Sequence, residues 1–238
     1  MKELVTLASQ HLNLEISPHQ EEQFSLYRRL LIGWNEKHNL TAITDPQEII
    51  IKHFFDSLTC LRFIHQPGHL TLADIGTGAG FPGIPLKILR PDLSLTLVES
   101  VKKKVVFCSL VIDELDLPNT QVIQARAEEL GQDHQYREKF DWVVARAVAN
   151  MAVLVEYLLP LVKVGGHALS LKGRQDRQEI DAAQLAVSTL GGEFTESIRV
   201  ALPGNYGQRV IYRIKKIQPT PPAYPRRAGV PIKKPIRN

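Results

Sequence analysis

The spacing of apolar residues changes near residue 70. Before that point, Phe24, Tyr27, Leu30, Leu31 and Trp34 recur at helical intervals. They stand behind Ser17-Pro18 and Gln20, an N-cap, a proline suited to the first turn and a capping-box partner. Asn35 to Thr44 breaks the pattern, Asp45-Pro46 with Glu48 repeats the start signal, and Ile50, Phe54, Leu58 and Leu61 line one face of the helix that follows. Pro67-Gly68 ends this helical region. Short apolar runs then alternate with helical stretches. Strands are predicted at Leu70–Ile75, Leu93–Val98, Thr120–Ala125, Asp141–Ala145 and His167–Leu171. Helices are predicted at Pro82–Leu89, Lys102–Leu115, Asn150–Val162 and Arg177–Leu190. A last pair of strands, Thr195–Ala201 and Gln208–Lys215, reads as a hairpin around Pro203-Gly204-Asn205.

Alternating strands and helices predict an α/β fold, a mostly parallel doubly wound sheet with an antiparallel edge hairpin at the C-terminal side. The expected organisation is a helical extension over 1–66, a sheet domain over 67–218 and a proline-rich, extended tail over 219–238. No internal repeat is apparent.

Composition narrows the class. With 44% hydrophobic and 23% charged residues the chain reads as globular, and two cysteines are too few for a disulfide framework. The N-terminus lacks a basic region followed by an apolar block, and Asn150, Glu156 and Lys163 interrupt the most apolar stretch, Ala147–Val164. A cytoplasmic soluble protein is expected, as a monomer and away from membranes. The histidines show no metal-ligand spacing, so no metal is expected. Charge is unevenly spread: from Ser197 onward there are ten Lys/Arg and no acid, while the first 196 positions hold all 25 acids and the other 19 bases. An acid-leaning body with a basic end suggests a polyanionic partner, nucleic acid above all.

The chemistry centres on Asp74-Ile75-Gly76-Thr77-Gly78-Ala79-Gly80-Phe81-Pro82-Gly83. Glycines at 76, 78 and 80 let the backbone turn sharply after a strand and approach a ligand closely. A dinucleotide fingerprint needs a third glycine where Phe81 stands. A ring there crowds a pyrophosphate but can lean on an uncharged ligand portion. The next strand ends at Glu99, 23 residues after Gly76, where a carboxylate can accept both hydroxyls of an adenosine ribose. S-adenosylmethionine fits this pattern better than NAD.

These residues, with Trp34-Asn35-Glu36-Lys37-His38-Asn39-Leu40-Thr41-Ala42-Ile43, His53-Phe54-Phe55-Asp56-Ser57, Ala145-Arg146-Ala147-Val148 and the run from Tyr224-Pro225-Arg226-Arg227 to Pro235, resemble a known family nearly end to end. The chain is similar to the bacterial 16S ribosomal RNA guanine-N7 methyltransferases, the glucose-inhibited division protein B family. Ala228 stands where proline is often expected. The resemblance implies a Rossmann-like class I methyltransferase that uses S-adenosylmethionine on 16S rRNA of the small ribosomal subunit. It implies cofactor contacts at Gly76 and Phe81, joined by Gly78 in the same turn. Glu99, Ser100 and Val101 would lie at the ribose, Ala127 and Glu128 at the adenine, and Arg146 at the methyl-donor end. Spacing alone would not have selected Arg146.

His53, Asp56 and Ser57 fall at i, i+3 and i+4, on one helix face. A hydrolytic triad is a poor reading, because this serine is not on a strained elbow. A polar surface patch at the cofactor mouth is expected, positioning RNA together with Asn39 and Thr41 in the loop before it. Arg226 and Lys234 are expected to meet RNA phosphates, and loss of the tail from Pro219 to leave cofactor binding intact. Lys102-Lys103-Lys104 at a helix start is either an RNA-facing patch or a solvated end. The alternatives to an RNA methyltransferase are a small-molecule methyltransferase and a cofactor-binding ribosome assembly factor without catalysis.

Overall fold

The computed structural model describes residues 1–173 and 177–237. The chain opens with α1 (Lys2–Leu12) and α2 (Pro18–His38), the latter started by the capping box that Ser17 and Gln20 form. A continuous helical run follows: α3 (Pro46–Glu48), a π-helical stretch Ile49–Phe55, α4 (Asp56–Leu58) and a 3-10 turn Thr59–Arg62. Its start is fixed by Asp45, whose carboxylate accepts from the backbone of Gln47 and Glu48 at 2.9 Å.

The alternating region folds into β1 (Thr71–Ile75), α5 (Gly83–Leu89), β2 (Ser94–Glu99), α6 (Lys102–Glu114), β3 (Thr120–Gln124), α7 (Ala127–Leu130), β4 (Phe140–Arg146), α8 (Met151–Leu158), β5 (Val162–Lys172), α9 (Arg177–Thr189), β6 (Gly192–Ala201) and β7 (Gln208–Lys216), as predicted except for the added single turn α7. The seven strands form one sheet in the order β3-β2-β1-β4-β5-β7-β6. The first five run parallel; β7 pairs antiparallel with β5 and β6 with β7. Several predicted boundaries move. Pro82 is the N-cap of α5 rather than its first residue, β6 starts at Gly192 rather than Thr195, and Val162, read as the end of a helix, starts β5 ahead of the strand predicted from His167. β-branched residues there suit the sheet, and the turn at Leu159–Leu161 ends α8 early.

Alternation along each strand serves two cores. Leu72, Leu95, Leu97, Trp142 and Val144 face the layer of Phe24, Tyr27, Leu31, Phe54 and Phe107. Ala73, Ile75, Val98, Val143 and Ala145 face α8 and α9. The N-terminal helices therefore share a core with the sheet. The tail is not extended as expected: it lies folded against α7 and α8 and ends in the single turn α10 (Val230–Lys233). Arg137 causes this, gathering the carbonyls of Thr220 at 2.7 Å, Pro221 at 3.2 Å and Tyr224 at 2.7 Å.

Candidate functional site

The carboxyl ends of β1, β2, β3 and β4 converge where strand order reverses between β1 and β4, the usual place for a ligand in an open α/β sheet. The glycine turn leaves β1 there. Its shape is set by Asp74, whose Oδ2 accepts from the Thr77 hydroxyl at 2.6 Å and from the Gly83 N–H at 2.8 Å. Burial pushes the Asp74 carboxyl up to about 6, against the Thr77 and Gly83 bonds and Arg146, which favour its charge. Gly76 and Gly80 sit at φ +66° and +95°; a Cβ on Gly80 would come within 2.5 Å of the Tyr27 hydroxyl, and one on Gly76 within 2.9 Å of Val148.

Glu99 ends β2 almost fully buried. Its two oxygens accept from the backbone N–H of Gly78 at 3.0 Å and of Val101 at 2.9 Å. These bonds fix the carboxylate while leaving lone pairs for further donors. A cavity of about 150 Å³ opens beside it, lined by Gly76, Glu99, Ser100, Ala127, Glu128 and Tyr157, with Arg126 and Val148 at its border. Two buried carboxylates and exposed peptide edges suit a ligand that offers hydroxyls and an amine. That donor set fits an adenosine and gives poor support to a pyrophosphate. Glu128 also raises the Tyr157 hydroxyl, which burial first and this carboxylate second push up to about 12.

The Phe81 ring, expected to lean on a ligand, does not line this groove. The ring is 4% exposed, stacked with His53 at 4.4 Å and with Tyr27 at 5.2 Å between centroids. Its place in the turn instead ties the glycine loop to the N-terminal helices.

Arg146, at the end of β4, gathers the second cluster. It donates to the Lys52 carbonyl at 2.9 Å, to Asp56 Oδ2 at 3.2 Å and to His53 Nδ1 at 2.9 Å. Arg209, on β7, reaches the same Asp56 oxygen at 3.3 Å. Because a guanidinium can only donate, His53 Nδ1 is the acceptor and Nε2 carries the hydrogen toward Thr41 Oγ1, 3.0 Å away. Burial, then Arg146 and Lys52, lower the imidazole to about 3. The predicted surface patch is thus corrected: His53, Asp56 and Ser57 are all buried, covered by Arg146, Arg209 and Phe81. Ser57 spends its hydroxyl on the His53 carbonyl at 2.6 Å. The π-helical stretch that carries His53 is of the kind that gathers at functional sites.

Asn39 is the exposed left-handed C-cap of α2, and Thr41 follows it. Asn35, not singled out from sequence, shapes this loop by accepting from the N–H of Leu40 at 2.7 Å and of Thr41 at 2.9 Å. Tyr27 was also missed as a functional residue. It reads as one more apolar position, yet its hydroxyl donates to the Ala79 carbonyl at 2.5 Å inside the glycine turn. Of the lysine run, Lys103 reaches the His38 carbonyl at 2.5 Å, a cation at the C-terminal end of α2. In the tail, Arg226 pairs with the fully buried Glu156, whereas Lys234 stays exposed. Among the described residues no group of three or more His, Cys, Asp or Glu could hold a metal, and no helix is long and apolar enough to cross a membrane.

Comparison with known proteins adds a family. Residues 20–203 match the family described as rRNA small subunit methyltransferase G. Proteins named ribosomal RNA small subunit methyltransferase G from Desulfitobacterium hafniense and Alkaliphilus oremlandii are 49% and 45% identical. The first alignment covers 97% of this chain and 95% of the relative, the second 100% and 99%. Among solved structures, the YcgJ protein of Bacillus subtilis superposes with a TM-score of 0.55 at 13% identity, over 70% of this chain and all of that one. The M. jannaschii TYW2 protein in complex with AdoMet superposes with a TM-score of 0.53 at 15% identity, over 69% and 76%. These structural likenesses extend the fold alone.

Proposed function

The chain belongs to the rRNA small subunit methyltransferase G family, and from that premise we propose that it moves a methyl group from S-adenosylmethionine to ring N7 of a guanine in 16S rRNA. The observation that carries the cofactor half of this reading is Glu99, a buried carboxylate held by two backbone N–H groups beside the glycine turn. Bound S-adenosylmethionine would supply an electrophilic methyl on a sulfonium. Glu99 would accept the ribose hydroxyls with Ser100 and Val101 beside it. Glu128 and Ala127 would border the adenine, and Gly76 and Gly78 would give the ligand a close approach to backbone. Phe81 serves through the turn it anchors.

A guanine N7 carries its lone pair in the ring plane and no proton, so the protein needs no base to expose it. Positioning supplies the catalysis. The base gains positive charge during transfer, which an unpaired cation beside the ring would oppose. Arg146 is suited to the task because Asp56 takes up part of its charge and His53 stays neutral. We assign Arg146, His53, Asp56 and Thr41 to positioning, with Ser57 supporting the helix beneath and Asn39 presented at the loop surface. Exposed tail cations such as Lys234, with Arg227, would meet RNA phosphates. The reading is of a monomer acting in the cytoplasm on the small ribosomal subunit, without a metal.

The test is single-turnover transfer of labelled methyl from S-adenosylmethionine to unmodified small subunits, followed by mapping of the labelled base. Label at one guanine N7 is the expected result. Cofactor binding without transfer would point to an assembly factor, and transfer only to small acceptors to a small-molecule methyltransferase.

A further inference from the structure

Single-turn α7 carries the adenine side of the groove, and it cannot hold its own place. Four residues are far too few for a helix to persist unsupported, so its position comes from what packs on it. Three of those supports come from the C-terminal segment. The Gly229 N–H donates to Glu128 Oε1 at 3.0 Å. The Gln132 side chain, just past the turn, donates to the Pro225 carbonyl at 2.7 Å. The Pro225 ring lies so close to Gly131 that a Cβ there would stand 2.7 Å from its Cγ.

The segment is in turn tied down by charge. Arg226 gives Glu156 its backbone N–H at 2.8 Å, its Nε at 2.9 Å and a terminal nitrogen at 2.6 Å. Glu156 sits on α8, fully buried, so this anchor is part of the domain interior. A cavity of about 780 Å³ lies between the segment and α7, and it shares Glu128 with the smaller groove. One carboxylate thus faces both the ligand groove and the tail.

We infer that residues 224–231 buttress the cofactor site from behind α7, with Gly229 and Arg226 acting as positioning residues that hold Glu128 toward the exocyclic amine of the cofactor's adenine. This rests on the reading of 127–128 as the adenine side. With one oxygen held by the Gly229 backbone N–H while the segment is docked, the carboxylate is oriented before ligand arrives, and the cost of ordering it on binding falls. The tail then has two faces. Its inner one serves the cofactor, and its outer one, with Arg227, Lys233 and Lys234 exposed, remains available to phosphates. This reverses the expectation that losing the tail leaves cofactor binding intact.

The experiment is calorimetric binding of S-adenosylhomocysteine and of its inosine counterpart, in which a carbonyl replaces the amine, to the full chain and to a chain ended after Ala223. The shortened chain should bind S-adenosylhomocysteine about tenfold or more weakly, the size of one lost charge-assisted hydrogen bond. It should bind the inosine compound nearly as before, so that discrimination between the two collapses. Unchanged affinity and discrimination would overturn the inference, and so would equal weakening of both ligands, which is what a general loosening produces. Arg226→Ala keeps the whole chain and reads the same two ligands should the shortened chain fail to fold. Glu128→Gln separates the two layers of argument. If it leaves discrimination intact, the adenine-side reading fails; if it removes discrimination while truncation does not, only the tail's role fails.

Discussion

Two appendages reach the candidate groove from outside the sheet, and they differ in what chiefly attaches them. The N-terminal helices arrive mainly through apolar burial: Phe24, Tyr27, Leu31, Phe54 and Phe55 are all fully buried and continuous with one face of the sheet. The C-terminal segment, with Tyr224 and Ile236 partly buried on the second core, is tied mainly by polar contacts: Arg226 on Glu156, Arg137 on tail carbonyls, Gly229 on Glu128 and Lys216 on Thr220 at 2.6 Å. Each ends on a turn of the groove, the first on the glycine turn through Tyr27, the second on α7. Burial of a large side chain contributes more than a net hydrogen bond, about 1.5–3 kcal/mol against about 1. The first attachment is therefore part of global stability, and the second is a latch that can open while the sheet stands.

The largest expected effect breaks the first attachment. Tyr27→Ala removes a fully buried ring that stacks with Phe81 and packs on Phe54 and Phe107, and should lower unfolding free energy by about 3–5 kcal/mol. Urea denaturation measures it. A loss below about 1 kcal/mol would mean that the N-terminal layer is not part of the core.

Arg226→Ala tests the latch. Removing one partner of a fully buried pair costs about 3–5 kcal/mol, and this arginine side chain is 26% exposed, so about 2 kcal/mol is expected. The two attachments should also respond differently to salt. The deficit of Arg226→Ala should shrink slightly as ionic strength rises, because only the partly exposed arginine end of the wild-type pair is open to screening, while that of Tyr27→Ala should not. Parallel salt dependence in both variants would erase the distinction.

A smaller effect separates packing from positioning within the first attachment. Tyr27→Phe keeps the ring and leaves the Ala79 carbonyl without its 2.5 Å donor, which should cost about 1 kcal/mol. Because that carbonyl belongs to the glycine turn, the variant should lose cofactor affinity measurably in calorimetry while its thermal unfolding stays close to wild type.

The same contrast governs what was legible in the sequence. Apolar periodicity marked the N-terminal helices, and the strand–turn–helix with Glu99 marked the turn beside the candidate groove, because local spacing encodes both. The parallel order and the edge hairpin followed from alternation. The tail was misread as extended because its partners, Arg137 and Glu156, lie 70 or more residues away and look like ordinary surface charges. His53, Asp56 and Ser57 were misread as exposed for a related reason. Their helix is buried all round by Arg146 and Arg209 from two distant strands, and no local pattern reports a layer contributed from elsewhere. Arg146 itself came from the resemblance, and only the structure shows why an arginine stands there.

The smallest expected effect is an absence of change, at His53. Its ring lies on the N-terminal side and touches Arg146, so among the described residues it is the histidine placed to act as a base in the proposed reaction. Its environment opposes that role. The Arg146 guanidinium points a donor at Nδ1, and burial with Arg146 and Lys52 lowers the imidazole to about 3. Between about pH 6 and 9 the ring is neutral throughout and does not titrate, although an unperturbed histidine would change charge near 6.5. The single-turnover rate at saturating cofactor and subunit should therefore be flat over that range. His53→Ala should keep the flat profile even where its rate falls. The linkage has a definite sign. With the folded value depressed below the unfolded one, the unfolded chain binds the extra proton, so the stability from neutral His53 is present above about 6.5 and is lost as pH falls toward about 3. The His53→Ala variant should accordingly show a shallower acid-side loss of stability than wild type. A wild-type rate that climbs tenfold per pH unit below 7 and flattens in His53→Ala would make His53 a general base. It would also require a target atom that carries a proton, which a guanine N7 does not.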